Sequence, residues 1–66
     1  MALLKVIELL ADSEISWEDA TRKAVENASK SIRNIRSVWV KNFNAEVKDG
    51  VIISWRVNCK ISFEKE

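Results

Sequence analysis

Residues 51–63 read VIISWRVNCKISF, and every odd position in this stretch is apolar. The even positions from 54 onward are polar: Ser54, Arg56, Asn58, Lys60 and Ser62. Successive side chains of a β-strand point to opposite faces of a sheet. The alternation therefore predicts a strand with one dry face, and at about 3.3 Å per residue this strand would be roughly 43 Å long.

A tight turn precedes this strand. Asp49 and Gly50 separate it from the β-like run 35–47, and Asp-Gly is typical of a type I′ turn, in which both central residues take positive φ. The turn predicts a hairpin in which Val38 faces Ile61 on the dry side. The remaining predicted pairs are Val40 with Cys59 on the dry side and Trp39 with Lys60, Lys41 with Asn58 and Phe43 with Arg56 on the other side.

The residues before the hairpin predict one strand and one helix. The segment 3–10 is apolar on both faces and predicts a first strand that is covered on both sides. A helix is predicted from Trp17 to about Arg33, because Ser16 and Asp19 resemble a capping box and apolar residues recur every three or four positions. Asn34 tolerates the left-handed conformation and is predicted to end the helix.

The order β-α-β-β limits the topology. The helical crossover brings the second strand parallel to the first, and the hairpin makes the third strand antiparallel to the second. An all-antiparallel sheet then requires the third strand in the middle. The predicted fold class is α+β, a β-α-β-β chain with a three-stranded antiparallel sheet in order 1-3-2, forming a single domain over residues 1–66.

The length of the chain points to oligomerisation. A monomer of 66 residues buries only about 60% of the surface that its unfolded chain exposes, so it needs reinforcement. A single cysteine excludes an internal disulfide, and without histidine Cys59 lacks partners for a zinc site. The predicted helix is shorter than the hairpin, so Ile53 and Trp55 at the far end are predicted to contact other subunits.

Composition argues against several functions. Eleven basic and ten acidic residues give a net charge of +1, which offers little attraction for nucleic acid or an anionic membrane. Lys5 and Glu8 interrupt the apolar N-terminal stretch, so neither a signal peptide nor a membrane span is expected, and a cytoplasmic location is predicted. Without histidine or a phosphate loop, and with no evident base for Cys59, the chain is not expected to be an enzyme.

Four segments of the chain resemble the dodecin family: KVIE at 5–8, SWEDA at 16–20, NI at 34–35 and RVNCKISF at 56–63. The resemblance implies a hollow, spherical homododecamer of tetrahedral symmetry, in which each helix is partly wrapped by a three-stranded antiparallel sheet. It further implies a flavin cofactor, riboflavin or FMN, bound in pairs between subunits for storage or photoprotection. The resemblance does not imply catalytic turnover.

Two positions of this chain depart from the family's flavin-binding pattern. The tryptophan that stacks on the isoalloxazine ring in flavin-binding dodecins falls on Ser37, and the glutamine that hydrogen-bonds the flavin falls on Arg56. Trp39 lies on the same face as Ser37 and is a candidate for a displaced stacking residue, although it also fits subunit packing. The candidate ligand-binding residues are therefore Ser37, Trp39 and Arg56.

A second function stays open beside flavin binding. Some dodecins lack the stacking tryptophan, and one such group is associated with calcium. Asp12, Glu14, Glu18 and Asp19 offer the oxygen ligands that a hard cation prefers, but carboxylates are also favoured at any helix N-terminus. The alternative is a dodecin shell that has lost flavin binding and binds another small ligand or a cation such as calcium.

Overall fold

A computed structural model describes residues 3–65 of the chain. Its elements are β1 (Leu3–Ser13), α1 (Trp17–Ser29), β2 (Ile35–Lys48) and β3 (Val51–Lys65). The strands form one antiparallel sheet in the order β1-β3-β2, which confirms the predicted α+β fold. Met1, Ala2 and Glu66 belong to the predicted domain 1–66 and lie outside the described residues. Within residues 3–65, no helix is long and apolar enough to cross a membrane.

The helix is shorter than the prediction. It begins at Trp17, where the Ser16 hydroxyl accepts a hydrogen bond from the backbone N–H of Asp19 at 3.0 Å, as in a capping box. It ends at Ser29 instead of about Arg33. Asn34 does take the predicted left-handed conformation, with φ of 61°, but it lies in the connection to β2 and not at the end of the helix.

The core lies between α1 and β3. Val57, Cys59 and Ile61 are fully buried, which confirms the dry face of the central strand at these three positions. Ala20 and Ala24 of α1 are buried against Val57 and Cys59, because their small side chains let the helix backbone approach the sheet closely. Four half-buried apolar residues pack around this cluster: Leu9, Ala11, Trp17 and Val38.

The hairpin register is partly as predicted. Asp49 and Gly50 take φ of 53° and 76°, as a type I′ turn requires. The pairs formed by Val38, Trp39 and Val40 with residues 61, 60 and 59 are confirmed.

Two predicted pairs of the hairpin are wrong. Asn42, not Lys41, faces Asn58, and Phe43 faces Val57 instead of Arg56. The cause is a pair of bulges, one residue on each strand, at Ile53 in β3 and at Lys41 in β2. Between them the register is shifted by one residue, so that Phe43 lies on the helix side of the sheet. Because the extra residues lie on opposite strands, the two shifts cancel beyond Lys41.

The helix covers only one face and one part of the sheet. At 1.5 Å per residue α1 is about 20 Å long, whereas the molecule extends over 51 Å. Around the turn, four apolar residues stay exposed in the single chain: Val47, Val51, Ile52 and Ile53. Leu4, Val6 and Leu10 of β1 are exposed as well, so the prediction that both faces of this strand are covered is wrong for one chain.

Candidate functional site

The candidate site lies on the outer face of the sheet, which is the face turned away from α1. Val38 packs against the core, so its neighbours Ser37 and Trp39 point to the outer face. Trp39 keeps 54% of its surface exposed and faces Lys60 of β3. Together with Val6 of β1, these two side chains line a recess of about 440 Å³. The recess therefore offers an aromatic surface, an aliphatic side chain and an amine.

Ser37 lies two positions before Trp39 on β2. Its hydroxyl oxygen is 2.6 Å from the hydroxyl oxygen of Ser62, a buried residue on β3. This side chain hydrogen bond joins the two strands beside the recess. Ser37 thus lies close to Trp39, as the sequence predicts, but its side chain has no ring on which a ligand can stack.

Arg56 joins all three strands on the outer face. Its Nε donates to Asp12 Oδ1 at 2.6 Å, and its Nη2 donates to Asp12 Oδ2 at 3.3 Å and to Glu46 Oε1 at 2.8 Å. The hydrogen bond from Arg56 lowers the pKa of Asp12. Arg56 is four positions from Lys60 along β3, about 13 Å at the usual rise of a strand. The structure therefore places Arg56 outside the Trp39 recess, with two of its nitrogens already engaged by carboxylates.

The two lysines next to the recess, Lys41 and Lys60, differ in their distance from Glu8. Glu8 lies opposite Lys60 on β1, but its Oε2 is 3.4 Å from the Nζ of Lys41 on β2. A hydrogen bond from the Asn58 side chain and the contact with Lys41 lower the pKa of Glu8. Across residues 3–65, no carboxylate comes within 4.0 Å of the Lys60 amine. The Lys60 charge also contributes to the lowered pKa of Glu8, but Lys41 and not Lys60 forms the close ion pair with this carboxylate.

Two of the four carboxylates that are candidates for binding a cation are paired with other groups. Asp12 pairs with Arg56, and Asp19 accepts a hydrogen bond of 2.6 Å from the buried hydroxyl of Ser13. That bond, followed by ion pairs with Arg22 and Lys23, lowers the pKa of Asp19. In the described part of one chain, no three acidic, cysteine or histidine side chains converge to hold a metal ion.

Cys59 is a buried residue of β3. It lies in the core, and burial raises the pKa of its thiol. A buried, protonated thiol behaves as a small apolar side chain and is a poor nucleophile.

The family follows from comparison with known proteins. A sequence profile of the family described as Dodecin matches residues 3–66. The chain belongs to the dodecin family. It is 33% identical to the calcium dodecin of Mycobacterium tuberculosis over 64 residues, which cover 97% of this chain and 90% of that protein.

Solved dodecin structures share the fold. The dodecin of Streptomyces coelicolor superposes with a TM-score of 0.94 at 28% identity, covering 98% of this chain and 93% of that one. A crystal structure of the M. tuberculosis calcium dodecin, described as calcium chelating with a novel calcium-binding site, gives a TM-score of 0.84 at 31% identity. It covers 97% of this chain and 91% of that one.

One residue that lines the recess of this dodecin, Val6, is not among the candidates predicted from the sequence. Val6 lines the recess beside Trp39 and Lys60, although β1 was expected to be covered on both faces. Residues 3–10 are apolar on both faces, and a single helix can cover only one side of the sheet. The sequence therefore already indicates that apolar side chains of β1 stay exposed on the other side. The pairing of Trp39 with Lys60, in contrast, follows directly from the hairpin turn.

Proposed function

We propose that this dodecin is a small-molecule binding protein that sequesters a flavin, riboflavin or FMN, by stacking it on Trp39. The observation that carries this function is the exposed indole of Trp39 in a recess whose other walls are Val6 and Lys60. We further propose that the domain 1–66 assembles into a cytoplasmic homododecamer that stores or protects its ligand without catalytic turnover. Membership of the dodecin family supports the assembly and the ligand class.

The three candidate residues have unequal roles in this proposal. Trp39 supplies the stacking surface, and aromatic stacking contributes about 0.5 to 1.5 kcal/mol beyond the burial of area. Ser37 lies on the same face as Trp39 with its hydroxyl hydrogen-bonded to Ser62, and it has no ring on which a flavin can stack. Arg56 forms ion pairs with Asp12 and Glu46. Its role in this proposal is to hold the three strands together and not to contact the ligand.

The test is a titration of riboflavin with the purified oligomer, followed by quenching of flavin fluorescence. Trp39→Leu should weaken binding about tenfold, as expected for the loss of one stacking surface. Trp39→Phe keeps a ring and serves as the matched control, with an affinity close to that of the wild type. If Trp39→Leu binds riboflavin as tightly as the wild type, Trp39 is not the stacking residue.

A calcium-binding dodecin is the second candidate, because the 33% identical relative from M. tuberculosis is named a calcium dodecin. No three acidic side chains of residues 3–65 converge in one chain, so this candidate places the calcium between subunits. Calorimetric titration of the chelator-treated oligomer with calcium measures this directly. Calcium binding that survives Trp39→Leu, with no flavin binding to the wild type, would favour this candidate over the first.

A further inference from the structure

We infer that Lys60 makes the Trp39 recess selective for a flavin that carries a negative charge, so that FMN is preferred to riboflavin. The inference rests on the function proposed above and adds a residue that determines specificity. Riboflavin and FMN share the same ring and differ by the phosphate on the side chain. A preference between them therefore reports on the charge around the recess and not on the stacking surface.

Geometry places the Lys60 side chain within reach of a ligand on Trp39. The two residues are direct partners in the β2–β3 ladder, and such partners have Cα atoms about 4.5 to 5.5 Å apart. Both side chains also line the same recess. The lysine side chain is long and flexible and ends in three N–H donors. Lys60 can therefore follow a charged group that extends from a ring stacked on Trp39.

Within the described residues, Lys60 has no close carboxylate partner, and its charge acts on Glu8, its partner in the β1–β3 ladder, only from a longer distance than that of Lys41. Glu8 is the acidic residue opposite Lys60, but the Lys41 amine at 3.4 Å and the Asn58 amide already contact its carboxylate. No carboxylate of residues 3–65 lies within 4.0 Å of the Lys60 amine. The two lysines and one glutamate beside the recess have a net positive charge. This positive charge attracts the phosphate of FMN and so strengthens its binding, whereas it does not attract the neutral side chain of riboflavin.

The experiment compares the dissociation constants of FMN and riboflavin for the same oligomer at low salt. Wild type should bind FMN about fivefold more tightly, which corresponds to one exposed ion pair. Lys60→Gln should abolish the preference by weakening FMN binding alone. Lys30→Gln, at the C-cap of α1 and thus on the opposite side of the sheet from the recess, removes the same charge from the particle and should leave the preference unchanged. In 0.5 M salt, the preference of the wild type should shrink, because salt screens exposed charges.

The outcomes separate this inference from the proposed function. Equal affinities of the wild type for FMN and riboflavin would overturn the role of Lys60 and leave stacking on Trp39 intact. A fivefold preference that persists in Lys60→Gln would overturn it as well, by assigning the phosphate contact to another group. If neither flavin is quenched by the wild type, the inference falls together with the proposed function.

Discussion

Arg56 shows how the surroundings of a residue determine its role. From the sequence, its donors are available to a ligand. In the structure, Asp12 and Glu46 from the two neighbouring strands engage Nε and Nη2. No alternation pattern predicts this arrangement, because Asp12 and Arg56 are brought together only by the β1–β3 register. Trp39 keeps the exposed position that the sequence assigns to it, because it lies on the face of the sheet that α1 does not cover.

The ion pair of Arg56 with Asp12 predicts a loss of stability in acid. The hydrogen bond from Arg56 lowers the pKa of Asp12 in the folded state. Such a carboxylate stabilises the fold fully when the pH is above the pKa that it has in the unfolded chain. This contribution is lost as the pH falls through the lower pKa that it has in the folded chain. We therefore expect Asp12→Asn to lower the urea midpoint at pH 6, and the difference from the wild type to shrink below about pH 4.

The control for this prediction is Glu14→Gln. Glu14 is exposed and lies in the loop before the helix, and no ion pair is found for it within residues 3–65. Its substitution should change the urea midpoint little at any pH, at the same protein concentration. A difference between Asp12→Asn and the wild type that stays constant from pH 6 to pH 3 would contradict the prediction.

At the scale of elements, the sequence predicts the strand order and the turn but not the bulges. The alternation in 51–63 and the Asp49-Gly50 turn are local signals, and they suffice for the order β1-β3-β2 and for the pairs next to Val38. The bulges at Ile53 and Lys41 cancel each other, so the pairing from Val40 to Ser37 is the same as in a regular hairpin, and a further shift follows at Arg36. Phe43 lies between the bulges, and this explains why its face was assigned wrongly.

The packing of Phe43 on Trp17 gives a direct test of the bulges. Their ring centroids are 5.1 Å apart with an interplanar angle of 44°, and the indole N–H of Trp17 donates to the backbone carbonyl of Asn44 at 2.9 Å. A double-mutant cycle with Trp17→Leu and Phe43→Ala should give a coupling free energy of about 0.5 to 1.5 kcal/mol. The measurement is urea unfolding of the four proteins at one concentration.

The same cycle distinguishes the two registers. In the regular hairpin without bulges, Phe43 points to the outer face and cannot touch a residue of the helix. The coupling free energy would then be close to zero, even if each single substitution lowers stability. The hydrogen bond from Trp17 to Asn44 does not confuse the result, because Trp17→Leu removes it in both halves of the cycle.

At the scale of the whole molecule, one chain does not cover its own apolar surface. Its buried core consists of small or medium side chains: Ala20, Ala24, Ala28, Val57, Cys59 and Ile61. In contrast, large apolar side chains around the turn and on β1 stay exposed. Apolar surface of this extent is typical of subunit interfaces. The chain extends over 51 Å, but its helix is only about 20 Å long and leaves the hairpin end uncovered. We therefore expect the hairpin end to contact another subunit.

Trp55 is predicted to hold the oligomer together from this end. It lies between Ser13 and Ala45 in the sheet and is half-buried in the single chain, so an adjacent subunit can cover the rest of its ring. Truncation of a fully buried tryptophan costs about 3 to 5 kcal/mol, and the symmetry of a homo-oligomer repeats the loss in every subunit. Trp55→Ala should therefore dissociate the particle at micromolar concentration, as measured by sedimentation velocity. Trp55→Phe keeps an aromatic ring and should sediment as the wild type does. A Trp55→Ala protein that sediments like the wild type would show that Trp55 lies outside the interface. A wild type that sediments as a folded monomer would contradict the predicted oligomer as a whole.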